Sequence, residues 1–171
     1  GGFAVTGYDP AKSACDAARA IGVHVVDSPL AVALAAQLVV IVVGFDSEVE
    51  DALFGRDGVV AGAKAGLIVA LGSTVAPRYA TKLAARLAQH KIVMIDTPLA
   101  RGETAAEAGK LLIYGAGDEQ AFEACRPALS TFASDIVHLG PAGAGQVGKM
   151  VNNMILWACT AANDEGLRLG E

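Results

Sequence analysis

The stretch of the chain best suited to chemistry is GAGQVGKMVNNM, residues 143–154, where a lysine and two adjacent amides interrupt apolar residues. Lys149 and Asn153 are four residues apart, so on a helix they share one face, with Asn152 beside them. A lysine on a partly buried face loses hydration, which lowers its pKa and lets it exchange a proton with a substrate hydroxyl. The amide one turn further on can hold that hydroxyl or its carbonyl product. A lysine that extends its ammonium to the surface explains the pattern equally well.

A second candidate is the loop in DTPLARG, residues 96–102. Pro98 and Gly102 shape this loop after a predicted strand, and Arg101 lies on it. A guanidinium there can hold a carboxylate or a phosphate through two parallel hydrogen bonds. A solvated surface arginine is the commoner fate of such a residue, so both interpretations stay open.

Three further strand ends carry residues that suit a dinucleotide. Asp9 follows the first predicted strand, where a carboxylate accepts hydrogen bonds from adenosine ribose hydroxyls and repels a 2′-phosphate. Two later strands run into the loops VVGF and ALGST, and ligands of open α/β sheets bind beyond such ends. The residues concerned there are Gly44, Phe45, Ser73 and Thr74. A helix cap at Asp9 and ordinary turn chemistry at the other positions explain the same residues.

The pattern of apolar residues predicts an α/β fold around these candidates. Short β-branched runs alternate with Ala-rich helical segments, which is typical of βαβ units and a mostly parallel sheet. The predicted strands are Phe3–Tyr8, Val23–Val26, Leu38–Val43, Leu67–Leu71, Ile92–Ile95, Leu111–Tyr114 and Ile136–His138. Capping side chains or early prolines predict helix starts at Asp9-Pro10, Ser28-Pro29, Asp46, Thr74 to Pro77 and Asp118-Glu119.

The segment from Gly143 to Gly170 is predicted to be one long helix. Its apolar residues recur at three-to-four-residue spacing, and nothing else in the sequence is left to pack against them. We therefore assign residues 1–143 to a dinucleotide-binding domain. We expect residues 144–171 to begin a second domain.

The glycine fingerprint of dinucleotide-binding folds, G-x-G-x-x-G, follows none of the predicted strands. The strand before that fingerprint usually lies at the centre of the sheet, and a sheet without it would expose unpaired edges in its middle. We therefore expect an N-terminal segment of the natural protein to be missing from this chain.

Composition limits the partners that we expect. The net charge of −5 and the lack of a Lys/Arg cluster argue against nucleic acid and anionic membranes. The apolar run 30–43 is shorter than the roughly 20 residues of a membrane span, and no signal-peptide pattern opens the chain. Cys15, Cys125 and Cys159 lack metal-site spacing and suggest buried thiols in a reducing compartment. We expect a cytoplasmic protein with a small-molecule partner and no metal.

Taken together, these residues resemble the β-hydroxyacid dehydrogenase family, which includes 3-hydroxyisobutyrate dehydrogenase and, more distantly, 6-phosphogluconate dehydrogenase. GAGQVGKMVNN is similar to the family's catalytic stretch G-x-G-x-x-x-K-x-x-N-N. DTPLARG, with the following AAEAGKLLIYGAGD, is similar to its substrate loop D-x-P-V-S-G-G and the trailing A-x-x-G-x-L segment. The two motifs occur in the family's order and at its separation.

The resemblance implies a Rossmann-type, doubly wound domain whose long helix leads into an all-α domain that completes the cleft and a homodimer or homotetramer. It implies NAD or NADP as cofactor, with NAD slightly favoured by Asp9. It implies that Lys149 is the catalytic acid/base. The implied substrate-binding residues are Ala100, Arg101, Gly102, Asn152 and Asn153, and the implied cofactor-binding residues are Asp9, Val43, Gly44, Phe45 and Thr74.

The sequence departs from the family where substrate binds, since Ala100-Arg101-Gly102 replaces Ser-Gly-Gly. A hydroxyl and a glycine are lost there, and a cation is gained. Gly72 also stands where the family has an aspartate. We expect an oxidoreductase that interconverts a small β-hydroxy acid and its semialdehyde or keto form. The alternatives are a reductase of a non-acid carbonyl or imine, and a cofactor-binding protein without catalysis.

Overall fold

The computed structural model describes residues 2–170. Within that range the strands are β1 (Thr6–Gly7), β2 (His24–Val25), β3 (Leu38–Ile41), β4 (Ile68–Leu71), β5 (Val93–Asp96), β6 (Leu99–Ala100), β7 (Leu111–Gly117) and β8 (Ala133–His138). The helices are α1 (Lys12–Ala20), α2 (Pro29–Ala35), α3 (Asp46–Phe54), α4 (Val59–Gly62), α5 (Pro77–Gln89), α6 (Gly102–Glu107), α7 (Glu119–Leu129) and α8 (Ala144–Gly170). The predicted α/β class is confirmed.

The helix starts follow from local sequence. Ser28 accepts a hydrogen bond from the Ala31 amide at 3.2 Å at the start of α2, and Asp118 accepts one from the Ala121 amide at 2.8 Å at the start of α7. α3 begins at the predicted Asp46, and α5 begins at Pro77. α2 and α7 therefore have the side-chain cap that their free amides require, and α5 has a proline in its first turn. Asp46, predicted as a cap, is instead the first residue of α3, whose cap residue is Phe45.

The larger sheet is mostly parallel, as predicted, with one reversal of strand direction inside it. β3, β4 and β5 pair in parallel, but β7 runs antiparallel to β5 and carries β8 in parallel on its other edge. The chain returns from β5 to β7 through β6 and the short helix α6, without the long crossover helix that parallel neighbours need.

β6 was absent from the predicted strands, and it extends β5. Both strands pair with β7 in one antiparallel register, and between them the Pro98 carbonyl accepts from the Tyr114 amide at 3.2 Å. Pro98 has no amide to donate, so the ladder is interrupted there. β5 and β6 therefore lie along the same edge of β7, and they connect Asp96 to Arg101.

The first two strands form a sheet of their own. β1 pairs with β2 in parallel, and within residues 2–170 no ladder joins either of them to β3. Val42, directly after β3, is 60% exposed. Among the described residues, β1 and β2 are therefore not part of the larger sheet.

Two apolar clusters cover opposite faces of the larger sheet. Val69 and Met94 point into the cluster formed with α3 and α5, whereas the alternate residues Ala70 and Ile95 point into the cluster formed with α7. This two-sided burial is the doubly wound arrangement expected from the sequence.

Two further sequence expectations have structural outcomes. Cys125 is buried, but Cys159 is exposed and Cys15 is intermediate, so the prediction of three buried thiols was wrong for those two. Cys159 lies on the solvent-facing part of α8, which the sequence could not reveal. No helix between residues 2 and 170 combines the length and apolar character needed to cross a bilayer.

α8 is the predicted long helix, and glycines set its distance from the sheet. A Cβ at Gly145 would overlap the carbonyl oxygen of Tyr114 on β7, and a Cβ at Gly148 would lie 2.5 Å from Leu139 Cδ1. Further along, α8 exposes large apolar side chains, with Trp157 67% exposed. The helix therefore docks on the sheet only through its first turns, among the described residues.

We predict that Gly145→Ala lowers the free energy of unfolding by about 1–3 kcal/mol, because the added methyl meets backbone that cannot rotate away. Denaturant unfolding would measure the change. Gly166→Ala is the control, since a Cβ there meets no atom within 4 Å in the described chain. Alanine should stabilise that helical position by up to about 1 kcal/mol. Equal effects of the two variants would contradict close docking of α8 on β7.

Candidate active site at the start of the last helix

A buried carboxylate fastens the end of β5 to the start of α8. Asp96 is fully buried, and its Oδ2 accepts a hydrogen bond from the Gly143 amide at 2.7 Å. Burial raises the pKa of Asp96, and the amides of Gly143, Gln146 and Gly145 oppose that shift. Free amides and the positive end of the helix dipole suit an anion at this position. Asp96 therefore fixes where α8 begins.

A buried amide side chain ties α8 to the loop after β4. Gln146 is 0% exposed; its Oε1 accepts from the Val75 amide at 3.0 Å, and its Nε2 donates to the Ser73 carbonyl at 3.0 Å. Ser73 Oγ in turn accepts from the Val43 amide at 2.7 Å. The ends of β3 and β4 and the start of α8 are thus held in one hydrogen-bonded chain, with Thr74 exposed at its centre.

Lys149 and Asn153 continue the stripe of α8 that begins with Gln146. They lie one and two turns beyond it, and both are half-buried, whereas the neighbouring Val147 and Met150 are about half exposed. Burial lowers the pKa of the Lys149 ammonium. No carboxylate in residues 2–170 lies within ion-pair distance of it. The partly buried lysine face expected from the sequence is therefore present.

Asn152 is held from the sheet. Tyr114 Oη on β7 donates to Asn152 Oδ1 at 3.1 Å, and Asn152 Nδ2 donates to Asn153 Oδ1 at 3.3 Å. Tyr114 also flanks Gly148, so the tyrosine ring occupies the space that this glycine leaves. Tyr114, Asn152 and Asn153 are thus connected by hydrogen bonds in that order. Asn153 lies on the same face of α8 as Lys149.

Three residues of this site were not among those predicted from the sequence: Asp96, Gln146 and Tyr114. Gln146 had a usable signal, because a polar side chain one turn before Lys149 on the same stripe is unexpected on a helix face that packs. Asp96 lay inside the quoted loop motif. Tyr114 gave no signal, since its partner is 38 residues away in the chain.

The loop after β3 is closed by its own glutamate. The amides of Gly44 and Phe45 donate to Glu48 Oε2 at 2.8 and 3.0 Å. Phe45 is 71% exposed, and Val43 is half-buried beside Ser73. The structure thus brings the predicted Val43–Phe45 turn to the sheet edge that carries Thr74. A ligand there would meet side chains and carbonyls, since these two amides are occupied.

Asp9 lies on the other sheet, away from this chain of hydrogen bonds. It is exposed after β1, and its Oδ1 accepts from the Ala11 amide at 2.8 Å. The helix predicted to begin at Pro10 begins at Lys12 with Ala11 as its cap residue, so Asp9 does not cap it. Asp9 also lines a cavity of about 200 Å³ with Tyr8 and Cys15. A carboxylate beside a cavity at the end of a parallel strand remains compatible with ribose binding.

The predicted substrate loop follows the extended β5–β6 edge. Ala100 is buried and pairs with Leu112, two residues from Tyr114, so the loop starts beside the strand position that contacts Asn152. The Arg101 guanidinium, through Nη1, donates to Asp135 Oδ2 at 2.6 Å, to Ser134 Oγ at 3.0 Å and to the Lys110 carbonyl at 3.1 Å. Gly102, next to it, is exposed.

Comparisons with known proteins identify the family of the chain. Residues 1–140 match the family model described as the NAD binding domain of 6-phosphogluconate dehydrogenase. An NAD-dependent L-serine dehydrogenase of Pseudomonas aeruginosa is 32% identical over 99% of this chain and 57% of its own length. A probable mitochondrial 3-hydroxyisobutyrate dehydrogenase of Dictyostelium discoideum is 30% identical over 95% of this chain and 51% of its own length.

A solved structure shows the same architecture. The 3-hydroxyisobutyrate dehydrogenase of Mycobacterium tuberculosis, determined with L-serine, matches with a TM-score of 0.85 and 32% identity over 91% of this chain and 52% of that chain. The chain spans about half the length of the curated relatives it matches. Since the family model covers most of the chain, the protein belongs to the family of the 6-phosphogluconate dehydrogenase NAD-binding domain, and its predicted resemblance to 3-hydroxyisobutyrate dehydrogenase-like proteins is confirmed.

Proposed function

We propose that the whole protein is an NAD(P)-dependent oxidoreductase that interconverts a small β-hydroxy acid and its semialdehyde or keto form. The observation that carries the proposal is Lys149, a half-buried lysine with a lowered pKa, on the stripe of α8 that Gln146 bonds to the loop after β4. Relatives named as dehydrogenases of L-serine and 3-hydroxyisobutyrate support the substrate class.

The described residues fit a dinucleotide at the carboxyl ends of the parallel strands. The loops after β3 and β4 lie side by side there, and a cavity follows β1. In the proposal Val43, Gly44, Phe45 and Thr74 line the nicotinamide side, and Asp9 meets the adenosine ribose. The carboxylate of Asp9 favours NAD, because it would repel the additional phosphate of NADP. A bound nicotinamide would supply the hydride acceptor or donor.

Lys149 moves the proton in this mechanism. During oxidation its neutral amine accepts the proton of the substrate hydroxyl as the carbon gives up its hydride, and a carbonyl results. During reduction the ammonium returns that proton to the carbonyl oxygen. Asn153, one turn away, orients the oxygen, and Asn152 is held in place by Tyr114.

The substrate's far end faces the loop Ala100-Arg101-Gly102 in this proposal, beside the Asn152 end of the site. Arg101 contacts Asp135 through Nη1, and its Nη2 and Nε would be the donors offered to a substrate carboxylate. The remaining parts of the proposal concern assembly. α8 begins an all-α domain that covers its exposed apolar residues and forms a homodimer or homotetramer, and the enzyme works in the cytoplasm.

We predict that Lys149→Met in the whole protein lowers kcat by about 10²-fold or more, which is the usual scale of a general acid/base contribution. Binding of NAD(H), followed by its fluorescence, should persist because the lysine acts on the substrate. Lys12→Met is the matched control, since Lys12 is exposed on α1 and pairs only with Asp16. Turnover of Lys149→Met close to that of the control would rule out this mechanism.

The pH dependence should show the lysine directly. Because oxidation needs neutral Lys149, kcat for oxidation should rise with pH through an apparent pKa below the roughly 10.4 of an ordinary lysine. The rate of reduction should fall across the same interval, because that direction needs the ammonium. Steady-state rates in both directions from pH 6 to 10 would test this. Oxidation that slows as the pH rises in this interval would contradict it.

A second candidate is a reductase of a non-acid carbonyl or imine. The observation that favours it is the Arg101 guanidinium, which is already paired with Asp135 and two further acceptors. A substrate without a carboxylate would leave these contacts intact.

A panel of small hydroxy acids, aldehydes and imines, assayed with NAD and NADP, separates the candidates. We predict turnover of hydroxy acids, a higher kcat/KM with NAD, and a raised KM for acids in Arg101→Ala but not in Lys12→Ala. Turnover restricted to substrates without a carboxylate would favour the second candidate. Cofactor binding without turnover of any compound would favour a non-catalytic protein.

A further inference from the structure

We propose that Gln146 is a positioning residue that sets where Lys149 lies relative to the loop carrying Thr74. The inference rests on the proposed function, because it assigns to Gln146 an effect on the proton step of that site. Gln146 itself touches neither the reacting atoms nor the proposed cofactor surface, since it is fully buried beneath the loop.

The geometry of the side chain leaves little freedom of rotation to α8. Gln146 Oε1 and Nε2 each have one backbone partner at 3.0 Å, Val75 and Ser73. These two partners flank Thr74, so Gln146 bonds the loop on both sides of the residue proposed to face the nicotinamide. Lys149 follows one helical turn later on the same stripe, so any rotation of α8 about its axis moves the Lys149 side chain across this loop.

Asp96 and Gln146 restrain different movements. Asp96 binds the Gly143 amide at the helix start, which limits sliding along the helix axis. The other amides that bond Asp96, those of Gly145 and Gln146, also lie in the first turn of the helix. Gln146 contacts a neighbouring loop through its side chain, and that loop is itself held by the Ser73–Val43 hydrogen bond. Rotation is opposed by Gln146 and by the Tyr114–Asn152 hydrogen bond, and of the two Gln146 connects α8 to the loop that carries Thr74.

The two partners require one acceptor and one donor in the same side chain. An amide supplies both, and removing it leaves a buried N–H and a buried C=O without partners. Glutamate keeps the acceptor for Val75 at every pH. It supplies the donor for Ser73 only when it is protonated. In a Gln146→Glu variant the hydrogen bond to Ser73 can therefore be switched by pH.

The test compares Gln146→Met with Gln146→Glu in the whole protein. For Gln146→Met we expect kcat to fall about 10- to 100-fold, the scale of a small misplacement of a catalytic group. The KM values for cofactor and substrate should change less than about 3-fold, because no ligand contact is lost. The lysine limb of the pH profile should move to higher pH, because a displaced Lys149 regains hydration.

Gln146→Glu should approach wild-type kcat at low pH, measured in the reductive direction and normalised to the wild type at each pH. The ratio should fall as the introduced carboxyl ionises and loses its donor to Ser73. Leu129→Val, a buried change on α7 in the opposite cluster, is the control for general destabilisation. It should lower the melting temperature without moving the pH profile.

The inference is overturned if Gln146→Met loses activity only in proportion to its folded fraction, with an unmoved lysine limb. It is also overturned if Gln146→Glu shows the same activity relative to the wild type at every pH. If Lys149→Met retains normal turnover, the proposed function itself fails. An inactive Lys149→Met with a wild-type-like Gln146→Met removes only the positioning role.

Discussion

The docking of the first turns of α8 onto the sheet is the constraint on which the rest of the structure depends. A buried carboxylate and a buried amide there replace the water that the helix amides and the loop after β4 would otherwise bind. Each would be costly to bury alone; both polar atoms of Gln146 have partners, and Asp96 is bonded through Oδ2, while its Oδ1 has no partner among the described residues. Gly145 lets the helix come close enough for these bonds to form. The hydrogen bonds of Asp96 and Gln146 therefore depend on the close packing of α8 against the sheet.

The burial of α8 decreases along its length, and this gradient determines how accessible Lys149 is. At Gln146 it is wholly buried, at Lys149 and Asn153 it is half-buried, and at Met154 and beyond it is exposed. The lysine thus lies where hydration is reduced but a substrate can still reach it. A lysine in place of Gln146 would be fully buried, and one two turns after Lys149 would be exposed and fully hydrated. Its position relative to the sheet edge, more than its immediate neighbours, determines its protonation behaviour.

The parts of the fold that local chemistry controls could be predicted from the sequence. Ser28 and Asp118 mark helix starts because a cap needs only residues next to it. β6 escaped prediction because two residues beyond a proline give no periodicity, and only the partner strand β7 defines them. Likewise Gln146 bonds to residues 71 and 73 positions away, so its role depends on tertiary placement. At Asp9 local sequence supported a helix cap or a ribose contact, and the carboxylate bonds the Ala11 amide without capping α1, which begins at Lys12.

The loop Ala100-Arg101-Gly102 holds an arginine in a backbone conformation that usually favours glycine. Arg101 has φ of 85° and Gly102 has φ of 73°, both in the left-handed region that glycine adopts freely. For arginine this conformation costs about 1–2 kcal/mol. Its guanidinium meets three acceptors on the chain around β7 and β8, and these contacts hold the residue in that conformation. Residues 101 and 102 therefore both have a backbone conformation that favours glycine, and side-chain contacts keep the arginine there. The guanidinium and its partner Asp135, rather than the backbone, give this loop its charged surface.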